Sequence, residues 1–461
     1  MNAQTILTAM LPEHLLLVGI LLLLVLEMAS RREREFLGVT VLVLFAAAFA
    51  AARLAVADYA GVPFPGQFSV DPAAALGKAV LLALSIPAVL VARGEFGGTR
   101  FAILLLSSLY GACLMLSSDS FLTLFLGIEL MSMPVYALVL LAMARPESLE
   151  GALKYLILGG AGTATLLLGI SFVFGATGSF ALPAFAEALD SADPIAQAGV
   201  VLITVAFFLK AAVVPFHAWA PDAYEGATVP VTAYMATVVK SAVLLAAVRL
   251  FDGAELPEGN AALLAALPLA SMVWGNLTAM RQAGFRRMIA YSSIAHAGYL
   301  FFAFLGPAAG RFEAVLFYVV AYGLMNLLAF VSLPAAGRDA DRDRLDNLKG
   351  LFRRSPYAAI LIGAAMLSLA GIPPFPGFVA KFLIFRNVIE AGYTGWAVAG
   401  LLGSYLGIYF YLRVIQFMFM SPGAEGAAEE PPRLAAFAAS LCCLLPVVLL
   451  TLFPGWVIDR L

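Results

Sequence analysis

The chain has 461 residues, 62% of them hydrophobic and 12% charged, with a formal net charge of −2. A soluble domain averages about 25% charged residues, so a soluble globular protein and a disordered chain are excluded, and the near-neutral balance offers no field for nucleic acid. Three cysteines (Cys113, Cys442, Cys443) without C-x-x-C spacing and only three histidines exclude a disulfide framework, an iron–sulfur pattern and a multi-histidine metal or haem site, so no metal is expected.

The remaining class is an all-α polytopic membrane protein embedded in the lipid bilayer, because stretches of about 20 apolar residues recur along the chain. The predicted segments lie near 11–30, 36–56, 72–92, 100–117, 120–143, 150–175, 195–214, 228–250, 260–280, 284–305, 312–335, 355–371, 394–420 and 434–457, with a half-segment at 377–391 after the twelfth. No linker is long enough for a soluble domain, so residues 1–461 read as one membrane domain. Glu13, His14 and Glu27 and the lack of an A-x-A pattern argue against a signal peptide in the first run.

Cations mark the odd loops. Arg31, Arg32 and Arg34 lie in the first, Arg93 and Arg100 in the third, Arg145 and Lys154 flank the fifth, and Arg281, Arg286 and Arg287 flank the ninth. Arg338, Arg342, Arg344, Lys349, Arg353 and Arg354 fill the eleventh, and Arg433 sits in the thirteenth, whereas 57–71, 118–119 and 176–194 hold no Lys or Arg. By the positive-inside rule the odd loops are cytoplasmic and both termini lie on the outer side.

Arginine serves most loops, while Lys210, Lys240 and Lys381 sit inside apolar segments, as does Glu129 in F-L-G-I-E-L-M. A charge at a helix centre costs about 2.5–3.5 kcal/mol on insertion scales, so such residues mark proton or ion pathways, or else ion pairs that join helices. Lysine suits a pathway because desolvation disfavours the ammonium, whereas arginine keeps its proton almost anywhere. Glu129 is expected within about 4–6 Å of Lys210. Lys240, thirty residues after Lys210, is expected at similar depth on the next antiparallel helix, beside a polar neighbour. Lys78, seven residues beyond Asp71, reads as a lysine that snorkels to the interface.

Two helices break at these lysines. Pro215, Pro221 and Pro230 follow Lys210, and Gly371, Pro373, Pro374, Pro376 and Gly377 precede Lys381. Freed backbone groups at membrane depth are tolerated only against protein or a water-filled cavity, and broken helices recurring in two halves point to an inverted-repeat transporter. The spacing suggests three N-terminal helices (1–99), a five-helix repeat (100–250), an inverted second one (260–420) and a last helix (434–457). Lys381 is placed on the first turn of 377–391, where the helix N-terminus and burial disfavour its charge, freed carbonyls that accept from its ammonium favour it, and the balance is expected to leave the proton labile. His296, in Y-S-S-I-A-H-A-G-Y, reads as a proton relay or a helix–helix hydrogen bond. His217, near Trp219 and Asp222, reads as structural. G-G-A-G-T-A-T at 159–165 lies in an apolar helix, where small residues permit close packing.

K-A-A-V-V-P-F-H-A-W-A-P-D-A-Y-E-G-A-T-V-P-V-T, A-T-V-V-K, R-R-M-I-A-Y-S-S-I-A-H-A-G-Y and G-I-P-P-F-P-G-F-V-A-K, in order over roughly 100–420, resemble the antiporter-like subunit N family of respiratory complex I. The resemblance implies a fourteen-helix, proton-translocating membrane-arm subunit of a bacterial inner-membrane NADH:quinone oxidoreductase. It implies a charged axis through Glu129, Lys210, Lys240 and Lys381, with Lys154 on the sixth helix as an auxiliary relay in addition to the candidate His296. NADH, FMN, iron–sulfur clusters and quinone are then bound by other subunits and no cofactor by this one. The implied partners are a neighbouring antiporter-like subunit and the small membrane subunits. The sister subunit M has glutamate where this chain has Lys381, and the sister subunit L carries a long lateral helix. Ala220 stands where the family more often has Thr. The alternatives are a subunit of a multisubunit cation/proton antiporter or of a membrane-bound hydrogenase.

Overall fold

The computed structural model describes residues 3–29, 33–92, 98–142, 145–254, 258–333, 344–422 and 434–455. Each apolar run folds as a helix because bilayer-depth backbone must satisfy its own hydrogen bonds. The spans are α1 (Leu11–Ala29), α2 (Phe36–Val56), α3 (Pro72–Ala92), α4 (Thr99–Leu116), α5 (Phe121–Leu140), α6 (Pro146–Thr177) and α7 (Pro194–Ala211). They continue as α8 (Val229–Leu250), α9 (Ala261–Ala279), α10 (Phe285–Leu305), α11 (Arg311–Val331), α12 (Pro356–Ala370), α13 (Thr394–Met420) and α14 (Leu434–Leu452). Thirteen helices among the described residues are long and apolar enough to cross a membrane. The short one is α12, continued after a break by the half-helix Pro376–Glu390. The fold is thus the all-α polytopic one expected, and α8, α10 and α11 form its buried centre. Of the loop cations, Arg31, Arg32, Arg93, Arg338, Arg342 and Arg433, and the side chain of Arg34, lie outside the described residues.

The two breaks are built alike. α7 ends at Ala212 with φ 62°, and Val213 N–H returns to the Phe208 carbonyl at 2.8 Å. α12 ends at Gly371 with φ 82°, and Ile372 N–H returns to the Leu367 carbonyl at 3.1 Å. A left-handed residue after the last turn closes a helix this way. Each break then holds a cis proline bond, Val214–Pro215 and Pro373–Pro374, before the chain turns helical again at Trp219–Gly226 and Pro376–Glu390. Gly377 cannot carry a side chain, since a Cβ there would lie 1.9 Å from the Ser368 carbonyl oxygen.

Two features have no sequence signal. An antiparallel hairpin, β1 (Gly61–Phe64) and β2 (Phe68–Val70), occupies the second loop; such short strands give no readable alternation. In α8, residues Met235–Val239 form a π-helical stretch directly before Lys240, a local widening that recurs at functional sites.

Candidate functional site

Glu129 lies mid-way along α5 and Lys210 in the last turn of α7, where the helix C-terminus favours a cation. Lys210 Nζ lies 3.1 Å from Glu129 Oε1, and both side chains are largely buried. Thr163 of α6 donates its hydroxyl to the same carboxylate oxygen. Small residues let these helices and α4 approach closely: a Cβ on Gly127 of α5 would meet the Met115 backbone of α4 at 2.8 Å, and one on Gly169 of α6 would meet the Gly199 carbonyl oxygen of α7 at 2.9 Å. Thr163 escaped sequence reading because its segment reads only as close packing. Ile128, Gly162, Phe207 and Val243 pack beside Lys210, and Val243 joins the lysine to α8.

Val243 lies one turn beyond Lys240, whose buried ammonium donates to the Ser293 carbonyl at 2.6 Å and to the Ser293 hydroxyl. Ser293, His296 and Tyr299 are spaced by three along α10 and so share one helix face. His296 Nδ1 lies 2.6 Å from the Tyr318 hydroxyl and Nε2 lies 3.1 Å from that of Tyr411. Of the two ring nitrogens of a neutral imidazole, one donates and the other accepts. Tyr411 in turn bonds the Ser292 hydroxyl at 2.5 Å. The Tyr299 ring lies 4.9 Å below the Lys381 ammonium. Lys381 donates to the freed carbonyls of Leu369 and Ala370 and to the Ser404 hydroxyl, each at 3.1 Å.

Lys381 is the sixth residue of its half-helix Pro376–Glu390 and so stands in its second turn rather than its first. Helical side chains lean toward the N-terminus, so its stem runs back over Gly371, where a Cβ would meet Lys381 Cδ at 3.0 Å. The two breaks therefore serve their lysines differently: Lys210 precedes its break and Lys381 reaches back into its own. Lys381→Glu is expected to retain part of the proton-linked activity, because an acid still exchanges a proton there. Lys381→Ala is expected to lose more, as read by proton uptake into sealed vesicles. Equal activity of the parent, Glu and Ala forms would remove Lys381 from the path.

Lys154 lies elsewhere. It pairs with Glu150 and with Asp222, each at 2.5 Å, and its side chain is 43% exposed. Arg287 joins the cluster at 2.7 Å from both Asp222 and Glu225. His217 accepts from Trp274 Nε1 at 3.1 Å, and Trp219 Nε1 donates to the Leu209 carbonyl at the break, at 3.0 Å. Burial pushes the Asp222 carboxyl up, but hydrogen bonds from Lys154 and Arg287 outweigh it and hold the group below its usual range. A carboxyl depressed on folding contributes stability above its unfolded value, about 4, and loses it as pH falls through the folded value. Asp222→Asn is therefore expected to lower the melting temperature at neutral pH by the equivalent of about 1 kcal/mol. The difference from the parent should shrink once pH falls below about 4 and vanish only below the lower folded value; a difference independent of pH would contradict the assignment.

Lys78 does not snorkel. It is buried, with Nζ 2.6 Å from the equally buried Glu13 Oε1 on α1. The Phe68 ring of the hairpin lies 4.9 Å from the ammonium, and the Lys78 side chain is 1% exposed. Arg249, at the end of α8, binds Asp71 at 2.6 Å and Asp119 at 2.9 Å.

Residues 118–407 match the transmembrane family described as NADH:quinone oxidoreductase/Mrp antiporter. The chain is 39% identical to NADH-quinone oxidoreductase subunit N of Pelobacter propionicus over 98% of this chain and 97% of the relative. It is 34% identical to the subunit N of Laribacter hongkongensis over 91% and 89% of the two chains. A chain of the respiratory complex I of Thermus thermophilus, solved with bound Aureothin, superposes with a TM-score of 0.85 at 32% identity, over 97% of this chain and 98% of that one. A chain of the Mrp complex from Dietzia sp. superposes with a TM-score of 0.86 at 22% identity, over 100% and 96% of the two chains, a likeness of fold alone.

Proposed function

We propose, from the premise that this chain belongs to the NADH-quinone oxidoreductase subunit N family, that it is a proton-translocating subunit in the membrane arm of that oxidoreductase. The observation that carries the reading is the Glu129–Lys210 pair, 3.1 Å apart, placed where α7 breaks. A buried cation next to a break has a carboxylate to hold its proton and freed backbone to let the helix move.

The pair holds the proton on Lys210 while Glu129 is close, since an opposite charge favours both ionised forms. Separation of the pair leaves the ammonium uncompensated and the proton departs toward Lys240. The α10 face of Ser293, His296 and Tyr299 connects Lys240 with Lys381, where the proton passes to the second break or sideways into a neighbouring antiporter-like subunit. Lys154 joins this path from the face that carries Arg287, supported by its position within reach of Asp222. In this reading electrons move only in other subunits, which hold NADH, FMN, the iron–sulfur clusters and quinone. The chain lies in a bacterial inner membrane with the Lys154–Arg287 face cytoplasmic and both termini outside, on the alternation of basic loops.

Purification through a tag on this chain tests the assignment. Co-purification of a flavin- and iron–sulfur-containing peripheral arm, with NADH-driven proton uptake in sealed vesicles, is the expected result. Cation/proton exchange without any redox arm would assign the chain to an antiporter assembly instead.

A further inference from the structure

A second acid–lysine pair lies outside the axis. Glu13 of α1 and Lys78 of α3 stand 2.6 Å apart, and their side chains are 0% and 1% exposed. Their surroundings are apolar: the Phe68 ring faces the ammonium at 4.9 Å. Tyr110 and Cys113 of α4 are within Coulombic reach of Glu13. Glu13 Oε2 is buried and has no hydrogen-bond partner among the described residues. Removing two charges from water costs several kcal/mol per ion, and a plain structural link would be served as well by apolar packing. A carboxylate oxygen left unpaired in such a pocket is a site for a proton.

The pair is placed between functional landmarks. α3 packs directly on α8, both before and after Lys240. A Cβ on Gly77, the residue before Lys78, would meet Leu245 of α8 at 3.5 Å. Leu245 is five residues beyond Lys240, or about 7 Å along the helix axis, on the way to Arg249. That arginine closes the end of α8 against Asp71 and Asp119. A cleft of about 130 Å³ lined by Asp71, Gly77, Arg249 and Asp252 opens at the residue of α3 that precedes Lys78.

We propose that Glu13 and Lys78 form a second switchable proton station, set between Lys240 and the face that carries Arg249. The ionised pair takes up one proton on the Glu13 carboxylate, giving a neutral acid beside the Lys78 ammonium. The Lys78 ammonium then releases its own proton toward the cleft and takes the Glu13 proton in its place, which restores the ionised pair, so no other reactant is consumed. The station serves the translocation proposed above and rests on that reading.

The test uses the assembled complex in sealed vesicles, with NADH oxidation and proton uptake measured together. Lys78→Arg keeps the charge but holds its proton, and the double variant Glu13→Gln with Lys78→Met removes both charges without leaving one unpaired. The expected result is that both assemble, oxidise NADH and lose most of the proton uptake. An infrared carboxyl band that changes on turnover in the parent and is absent in Glu13→Gln is expected as well. Parental uptake in either variant, the absence of a turnover-linked Glu13 band, or failure of both variants to assemble overturns the station in favour of a structural pair. Lys210→Met in the same assay separates the two proposals. Loss of uptake there with retention in the Glu13 and Lys78 variants defeats only the station, whereas parental uptake in Lys210→Met defeats the axis itself.

Discussion

Glu129→Gln and Lys210→Met are each expected to abolish most NADH-driven proton translocation while the complex still assembles. Lys210 Nζ and Glu129 Oε1 are 3.1 Å apart, and Thr163 fixes the carboxylate from α6. Removing one member of a buried pair leaves an uncompensated charge at a cost of about 3–5 kcal/mol, whereas removing both is often nearly neutral. The double variant should therefore match or exceed the thermal stability of either single variant and still fail to translocate. That dissociation separates a proton site from a structural link. A double variant that translocates normally would show that the pair only joins helices. Thr163→Val removes one donor to the carboxylate and should weaken translocation less than either charge deletion.

Lys240→Arg carries the second large effect. Lys240 is buried in α8 and its ammonium is held by the carbonyl and hydroxyl of Ser293. Arginine keeps a positive charge there but does not release its proton, so translocation should fall as far as in Lys240→Met. Overpacking costs about 1–3 kcal/mol, so assembly of the arginine variant is checked by its content of partner subunits. If Lys240→Arg translocates like the parent, charge alone matters at this position and no proton passes through it.

The membrane segments were legible because their signal is chemical and long-range: apolar runs, basic loops and lysines where arginine prevails. The positions of Glu129, Lys210, Lys240 and Lys381 follow from the same contrast, since an ionisable group within an apolar run stands out without a structure. What joins them was not legible. Thr163, Tyr318, Tyr411 and Ser404 reach the site from helices distant in sequence, and nothing in a local window separates a bonded hydroxyl from an idle one. The π-helical stretch before Lys240 is set by packing rather than by composition. Lys78 misled for a related reason. Its distance from Asp71 suggested the interface, but its depth is decided by Glu13, sixty-five residues earlier, and by a hairpin too short to read. Lys381 lies in the second turn of the half-helix rather than the first, and still reaches the break because its stem points back toward the N-terminus.

The account stands on a single claim, that the buried Glu129–Lys210–Lys240–Lys381 series moves protons rather than holding helices together. The most direct measurement is the number of protons translocated per NADH oxidised, in sealed vesicles, for the parent and for Lys210→Met in complexes of equal subunit content. The ratio is expected to fall in the variant while NADH oxidation persists. An unchanged ratio in Lys210→Met would contradict the claim.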